Sequence, residues 1–249
     1  MKRLIILISL CFSGVACLSQ AAIPKQTNKE AAIPELTDQE KKQIAKNVQH
    51  LKLNKECKGC DLRQTNMTNL NLSNANLENA NLESANLESA QLNGAYLAGA
   101  KLKGTNLNNI IAPNIRLANN ENKRAILDGA SVTNAKLNGA QLINASAKNV
   151  NFSGTNFFGA QIKNVDFSGS NLSNVDFQGA GLRSIKLTNT NLKGTHFTEN
   201  ANLYDIDICM QFISYEKAND ITECARLLRS KGAKVDQNTF IENTQANIH

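Results

Sequence analysis

The sequence is poor in the residues that build most catalytic and membrane-spanning machinery. Its 249 residues include no tryptophan and only three tyrosines, three histidines and three prolines. The histidines, His50, His196 and His249, are isolated from one another, so no nucleophile, base and acid assemble around any of them. The apolar run Leu4–Phe12 is too short to span a membrane. We therefore expect no enzyme, no catalytic residue and no membrane-spanning helix.

Charge of either sign is also modest. The chain has 27 Lys and Arg against 21 Asp and Glu, a net charge of +6. The basic residues are scattered and do not alternate with exposed aromatics, as they do in many nucleic-acid-binding surfaces. The glycines recur at a fixed spacing rather than in a loop that cradles phosphate. We expect neither a nucleic-acid partner nor a cofactor.

What the sequence does contain is a five-residue period. From Leu62 to Phe197 a large apolar residue stands at every fifth position, and the exceptions are Ala112, Asn122 and Ala147. The residue two positions before each of these centres is usually small, and the residue two positions after it is usually Gly or Asn. A fixed repeat decides the architecture before local propensity does, so this region is predicted to be a solenoid.

Each five-residue unit is predicted to be a short extended segment followed by a corner. Apolar residues two positions apart face the same side of an extended chain, so both point inward and the residue between them faces water. Gly and Asn tolerate the positive φ that a type II turn requires at its third residue. No unit can bury its own centre, so the units must stack into a tube, whose thin interior fits the low aromatic content.

These units resemble the pentapeptide-repeat family, whose A(D/N)Lxx signature stands at Ala75–Leu77 and Ala85–Leu87. The resemblance implies an all-β solenoid, a right-handed quadrilateral (square) parallel β-helix of about seven coils, with about 20 residues in each coil. That spacing predicts one internal ladder of side chains that ends in three stacked phenylalanine rings. Its members are Leu77, Leu97, Leu117, Leu137, Phe157, Phe177 and Phe197.

The resemblance also raises a function that the charge disfavours. The best-known members of the family inhibit or protect DNA topoisomerases such as gyrase by imitating duplex DNA. Duplex DNA carries about one negative charge per 1.7 Å of its axis. A mildly basic tube cannot present such a field, so DNA mimicry is the alternative and not the first expectation.

The N-terminus has the pattern of a secretory signal over residues 1–21: two basic residues, an apolar run and then small residues. Cleavage after Ala21 would give a soluble exported protein, in the periplasm or secreted. Gly14–Cys17 resembles a lipoprotein box without its usual leucine, and cleavage there would leave an acylated Cys17 and an outer-membrane-anchored lipoprotein. Residues 21–40 contain a ten-residue tandem duplication, and residues 22–36 within it are predicted to be a linker.

Short helical segments are predicted at both ends of the tube. A capping box at Thr37–Glu40 starts a helix to about Lys52, within an N-terminal cap over 37–59. The tube is assigned to 60–200, because the register slips by one residue at Leu203. A second capping box at Asp220–Glu223 starts a helix in a C-terminal cap over 201–235. Residues 236–249 are predicted to be a flexible polar tail.

The cysteines of the mature chain fall into two local pairs. The run Cys57–Leu62 resembles the CxxCDL sequence found at the start of the repeats in some family members. Disulfides need Cα atoms within about 7 Å, and the tube separates its two ends by far more than that. The candidate disulfides are therefore Cys57–Cys60 and Cys209–Cys224, with free thiols as the alternative, and no second pair completes a zinc site at either end.

One coil is irregular, over residues 109–124. It is either a distorted coil that keeps the 20-residue register or a bulge that forms the contact site, because function on repetitive scaffolds tends to lie where the repeat is interrupted. The candidate contact residues are Ile110, Ile111, Pro113, Arg116, Lys123 and Arg124. The sequence as a whole predicts a rigid protein-binding or cell-envelope scaffold with an unidentified protein partner. A hidden hydrolase or sugar-binding cleft is a third alternative.

Overall fold

The computed structural model describes residues 34–117, 124–197, 202–204, 221–235 and 240–242. The chain divides into two units, Met1–Glu35 and Leu36–His249, and every element named here lies in the second. The helices are α1 (Asp38–Asn54) and α2 (Ile221–Ser230). The strands are β1 (Gln141–Ile143), β2 (Gln161–Lys163), β3 (Gly181–Arg183), β4 (His196–Phe197), β5 (Asn202–Tyr204), β6 (Lys234–Val235) and β7 (Phe240–Glu242).

The repeats form a four-sided coil held by parallel backbone pairing. Except in one longer turn, each repeat unit places one residue opposite the residue 20 positions later, as in the series Glu56, Asn76 and Tyr96. The next backbone N–H then bonds along the same direction, as Leu77 N does to Tyr96 O at 2.8 Å. Four such series repeat along the chain, and each defines one side of the coil. We name them by their first paired residues: side 1 begins at Glu56, side 2 at Asp61, side 3 at Asn66 and side 4 at Asn71.

The corners have the predicted turn geometry. Asn79, two positions after the centre Leu77, has φ +57°, and Gly94 has φ +65° at the equivalent place. The N–H of Ala80 closes the turn on Leu77 O at 3.0 Å. Positive φ at the third residue with this hydrogen bond is the type II pattern. The Gly and Asn column therefore occupies the corners because these residues adopt left-handed backbone at low cost.

The interior is filled by the centre column and by the small column two positions before it. Both are almost completely buried within the described repeats, except for the half-buried small-column residues Cys60, Thr65, Leu70 and Thr190. Where Thr replaces Ala in the small column, its hydroxyl still finds an acceptor: Thr105 Oγ1 donates to Leu82 O and Thr195 Oγ1 to Leu172 O, at 2.8 and 2.7 Å. The rings of Phe157, Phe177 and Phe197 stack with centroids 5.3 Å apart and planes within 8°. That spacing suits favourable ring packing along the tube.

The lower half of the predicted ladder is wrong, because one turn of the coil is five residues longer than the others. Lys101 pairs with Ile126 and Arg116 with Gln141, steps of 25 residues, and the 20-residue step returns at Ile126 to Ser146. Leu117 therefore lies below Leu142 and not below Leu137. The ladder that carries the phenylalanines is Leu72, Leu92, Ala112, Leu137, Phe157, Phe177 and Phe197.

The N-terminal helix begins at the predicted capping box. Thr37 Oγ1 accepts from Glu40 N, and Glu40 Oε2 accepts from Thr37 N, so two of the free N–H groups of the first turn are satisfied. Leu51 is fully buried in the same apolar cluster as the tube interior, and Ile44 is also buried. Asn47 Nδ2 donates to Asp61 O at 2.9 Å, which joins the helix to the first coil.

The C-terminal region differs from its predicted division into a helical cap and a tail. β5 pairs with β3 through Leu203 and Leu182, a step of 21 residues. The one-residue shift of the repeat at Leu203 therefore does not end the sheet. β7, inside the predicted tail, pairs in turn with β5, and β6 pairs with β4. The prediction missed these strands because they are two or three residues long and their partners are as many as 38 positions away, as Asn202 is from Phe240. α2 contacts β6 and β7.

Candidate functional site

The outer surface of the coil is made of short polar side chains that are tied to the backbone. In many units the side chain before the centre accepts the N–H of the residue after it, as Asn76 Oδ1 does from Glu78 N at 3.1 Å. Neighbouring coils are also linked: Asn171 Nδ2 donates to Asn151 Oδ1 and Asn191 Nδ2 to Asn171 Oδ1, at 3.1 and 3.0 Å. A surface held in this way loses little conformational entropy on contact with a partner.

The candidate contact residues do not form one surface. Ile110 is only 1% exposed, because it occupies the small column that points into the tube, so its assignment as a contact residue is wrong. Ile111 is 39% exposed and lies with Pro113 on side 4. Arg116 lies on side 1, with its guanidinium 5.5 Å from the centroid of the Tyr96 ring. Lys123 lies outside the described residues.

Phe158, an exposed aromatic residue, was not singled out in the sequence analysis. Phe158 is 49% exposed on side 4, in the same column as Pro113 and Asn138. Its backbone N–H donates to Asn156 Oδ1 at 2.7 Å. The signal was available, because the five-residue frame places the residue after each centre on the outside, and Phe158 follows the centre Phe157. With Ile111 and Pro113 it gives side 4 a small apolar area.

Arg124 lines a groove at the corner between sides 1 and 2. The groove has a volume of about 330 Å³, and the part of it on side 2 is formed by Ser146, Lys148, Asp166 and Lys186. Its floor is the corner column, where Asn164 Nδ2 donates to Asn144 Oδ1 at 2.9 Å. We call this the corner groove. The rest of its lining is Asn144, Ala145, Asn164, Val165 and Ser184.

The electrostatics of the corner groove are set by one ion pair and two further cations, Arg124 and Lys186. Lys148 Nζ lies 3.3 Å from Asp166 Oδ2. Burial of Asp166 raises the pKa of its carboxyl, but hydrogen bonds from Ser168 and the ion pair with Lys148 outweigh burial and leave the pKa below its usual value. Asp166 is therefore ionised at neutral pH and offsets the charge of Lys148. Its neighbour on the next coil, Lys186, is exposed.

At the N-terminal end a disulfide joins Cys57 and Cys60, whose Cα atoms are 5.1 Å apart. Cys57 is 2% exposed, and its Sγ lies 3.5 Å from Asn47 O of α1. The disulfide therefore lies where α1 meets the first coil. Cys17 and Cys209 lie outside the described residues, and the side chain of Cys224 is likewise not described.

Within the described part of the chain, no group of three or more His, Cys, Asp or Glu side chains is placed to hold a metal ion. Neither α1 nor α2 is long and apolar enough to cross a lipid bilayer. His50 Nδ1 lies 3.0 Å from Asn54 Nδ2 on α1. His196 lies on side 4, far along the chain from His50.

Comparison with known proteins returns repeat families. A family model described as pentapeptide repeat region matches residues 121–197. A second, described as pentapeptide repeats (8 copies), matches residues 56–93 and 71–109, so the two together cover more than half of the chain. No curated protein sequence matches the chain.

Several solved structures are similar to this chain. A trypsin-treated form of QnrB1, a plasmid-mediated fluoroquinolone resistance protein, is 16% identical over 74% of this chain and 94% of its own, with a TM-score of 0.42. The pentapeptide repeat protein Rfr23 from the cyanobacterium Cyanothece 51142 is 24% identical over 61% and 97%, with a TM-score of 0.28. A pentapeptide repeat protein from the Arabidopsis thaliana thylakoid lumen is 26% identical over 49% and 68%, with a TM-score of 0.24.

Proposed function

Because the chain belongs to the pentapeptide-repeat family and has its fold, the right-handed quadrilateral β-helix, we propose that it is an exported, non-enzymatic module. Its role in this proposal is to present a rigid polar surface to another protein as a binding or cell-envelope scaffold. The proposal includes about seven coils, with α1 covering the first coil and α2 packed against the last strands.

The observation that carries the proposal is the construction of the outer surface. Its Asn side chains are bonded to their own backbone and to the next coil, as in the series Asn151, Asn171 and Asn191. Such a surface is preorganised, and preorganisation favours contact over a broad area without the ordering cost of mobile side chains. It suits recognition of a macromolecule better than enclosure of a small substrate, which needs a concave pocket.

Export is supported by the sequence of residues 1–21 and by the position of the first cysteine pair. A basic start, a short apolar run and small residues before Ala22 are the three regions of a secretory signal. The Cys57–Cys60 disulfide belongs in an oxidising compartment such as the periplasm. The alternative is that the exported protein is acylated at Cys17 and anchored to the outer membrane.

DNA mimicry at a topoisomerase such as gyrase is the alternative function. It requires dense negative charge along the tube. Along the tube, side 2 instead mixes the acids Asp61, Glu83, Asp128 and Asp166 with the cations Arg63, Lys101, Lys103, Lys148 and Lys186. A purified topoisomerase should accordingly keep its supercoiling activity in the presence of the protein.

The proposal is tested first by intact-mass spectrometry of the protein recovered from separated cell fractions, with and without reductant. We expect a periplasmic or secreted species that starts near Ala22 and gains about 2 Da for each disulfide reduced. A lipid adduct on Cys17 would assign the exported protein to a membrane anchor. A full-length cytoplasmic species without a mass change would overturn export and make topoisomerase inhibition the next assay.

A further inference from the structure

We propose that the corner groove is the site at which this protein binds its partner, and that it takes an acidic segment of a protein. The inference rests on the proposed function and deepens it by naming the surface and the chemistry of the partner. It uses the described cations around the groove and their positions on successive coils, which the sequence shows only as scattered charges.

Three cations line the corner groove, Arg124, Lys148 and Lys186, and two more directly precede its lining residues Asn164 and Ser184 in the sequence. On side 1, Lys163 and Arg183 are direct neighbours on adjacent coils, and both are exposed. Across the corner, on side 2, Lys186 is the neighbour of Asp166. Adjacent coils are about 4.8 Å apart, so Lys163 and Arg183 form a short basic row on side 1 next to the groove.

The positive charge of this corner is largely uncompensated within the described residues. There, Asp166 is paired with Lys148, and no described carboxylate pairs with Lys163, Arg183 or Lys186. The only other described acid close to the groove is Asp128, whose Oδ1 accepts from Ser146 Oγ at 2.6 Å and from Lys148 N at 2.9 Å. Clustered like charges around a groove attract a ligand of opposite charge and raise its association rate.

The make-up of the groove favours a protein segment over a uniform polyanion. Asp166 lies among the cations, and it would repel a phosphate chain that places a charge at every step. No described aromatic side chain lines the groove, although single-stranded nucleic acids rely on such stacking platforms. A peptide carries carboxylates at intervals and amide groups between them, and those amides match the carboxamides of Asn144 and Asn164 and the hydroxyl of Ser184.

The place of the groove in the coil supports a recognition role. Arg124, at one end of the groove, lies on the turn that is five residues longer than the others. An interrupted repeat marks this position as different from the regular surface, and binding residues on repetitive scaffolds concentrate at such places. The groove then continues toward the C-terminus through Lys148 and Lys186 on side 2.

The test uses the full mature protein and two fluorescein-labelled peptides, one of alternating Glu and Gly and one with Gln in place of Glu. The groove variant is Arg124→Glu with Lys186→Glu. The matched control is Lys136→Glu with Lys193→Glu, which makes the same change in net charge on sides 4 and 3, away from the groove. Fluorescence anisotropy should show binding of the Glu peptide that weakens with salt, about tenfold weaker binding by the groove variant, and little change in the control.

Three results would overturn the proposal: no binding of the Glu peptide, equal losses in the groove variant and the control, or tighter binding of heparin or single-stranded DNA than of the peptide at matched charge. Arg124→Gln with Lys186→Gln repeats the test if the reversed variant does not fold, and circular dichroism checks each fold. None of these results bears on export, which intact mass tests separately. If cell fractionation instead found the protein in the cytoplasm, the proposal of an exported scaffold would fail. The result of the peptide-binding test of the corner groove would be unaffected.

Discussion

At the scale of single residues, the corners show how one coil constrains the next. A Cβ added to Gly169 would lie 2.2 Å from Asn149 Oδ1 on the preceding coil, and a Cβ added to Gly154 would lie 2.4 Å from Asn134 Oδ1. Real Cβ atoms do not approach oxygen so closely. Gly therefore suits these corners in two ways: it adopts positive φ without strain, and it leaves room for the Asn side chain of the preceding coil.

Two glycine substitutions should separate these two effects. Gly159 has φ +64° and Gly169 has φ +73°, but an added Cβ at Gly159 meets nothing within 4 Å. Gly159→Ala should cost about 1 kcal/mol of unfolding free energy from backbone strain alone, and Gly169→Ala about twice that, measured by denaturant unfolding. In an Asn149→Gly background the difference should disappear. Equal costs in the original background would show that the Asn contact contributes nothing.

At the scale of elements, the attachment of α1 depends on a small charged network. Arg63 Nη2 donates to Glu40 Oε1 at 2.9 Å and to Asp61 Oδ2 at 2.6 Å. Hydrogen bonds from the backbone and side chain of Thr37, together with the one from Arg63, lower the pKa of Glu40 to about 2. The hydrogen bond from Arg63 also lowers the pKa of Asp61. The helix cap and the link to the first coil thus share Glu40.

This network makes the docking of α1 dependent on pH. Both carboxyl groups have lowered pKa values in the folded state, so their stabilising effect is present above their ordinary pKa of about 4 and is lost as the pH falls toward 2. Helical circular dichroism should therefore decline over that interval. In Arg63→Gln the decline should begin nearer to pH 4, because the pKa of Asp61 moves back toward its ordinary value, while the hydrogen bonds from Thr37 still lower the pKa of Glu40.

Arg183→Gln is the control for this experiment, since Arg183 has no ion pair with a described carboxylate. It should follow the wild-type profile. Superimposable profiles for Arg63→Gln and the wild type would show that the network does not hold α1.

At the scale of the whole molecule, the sequence predicts what repeats and misses what occurs once. The period, the type II corners and the inward columns all follow from residue types at fixed positions, and the same frame should have placed Ile110 inside the tube. The longer turn could not be predicted in this way. An insertion of five residues does not disturb a five-residue pattern, so the sequence shows no break there. The strands β5 and β7 were missed because their pairing depends on distant backbone and not on a local pattern.

The basic corner shows a related limit. Lys163 and Arg183 are 20 positions apart, as are Asp166 and Lys186, so their pairing could be derived once the coil length was known. The convergence of Arg124, Lys148 and Lys186 on one groove depends on how two sides meet at a corner, which a linear period does not give. Net charge alone, at +6, concealed this local concentration.

The longer turn leads to a test of the architecture as a whole. Leu117 is followed ten residues later by Leu127, and the pairing of Lys101 with Ile126 leaves one five-residue unit of that turn in excess of four. Deleting residues 118–122 brings Leu127 into place as the next centre and restores a 20-residue turn. We expect this variant to keep cooperative unfolding, with a stability close to that of the wild type, because no rung of the described coil is lost.

The matched control is deletion of residues 78–82, which also keeps the five-residue pattern but removes the fully buried Ala80 and Leu82. It should cost about 3 kcal/mol or more in unfolding free energy, since loss of a buried leucine alone costs that much in a packed core. Denaturant unfolding compares the two. If both deletions destabilise equally, residues 118–122 contribute to the core as a regular unit does. If only the deletion of residues 78–82 destabilises the protein by about 3 kcal/mol or more, residues 118–122 do not contribute to the packed core. A partner could then contact Arg124 and the corner groove without loss of folding stability.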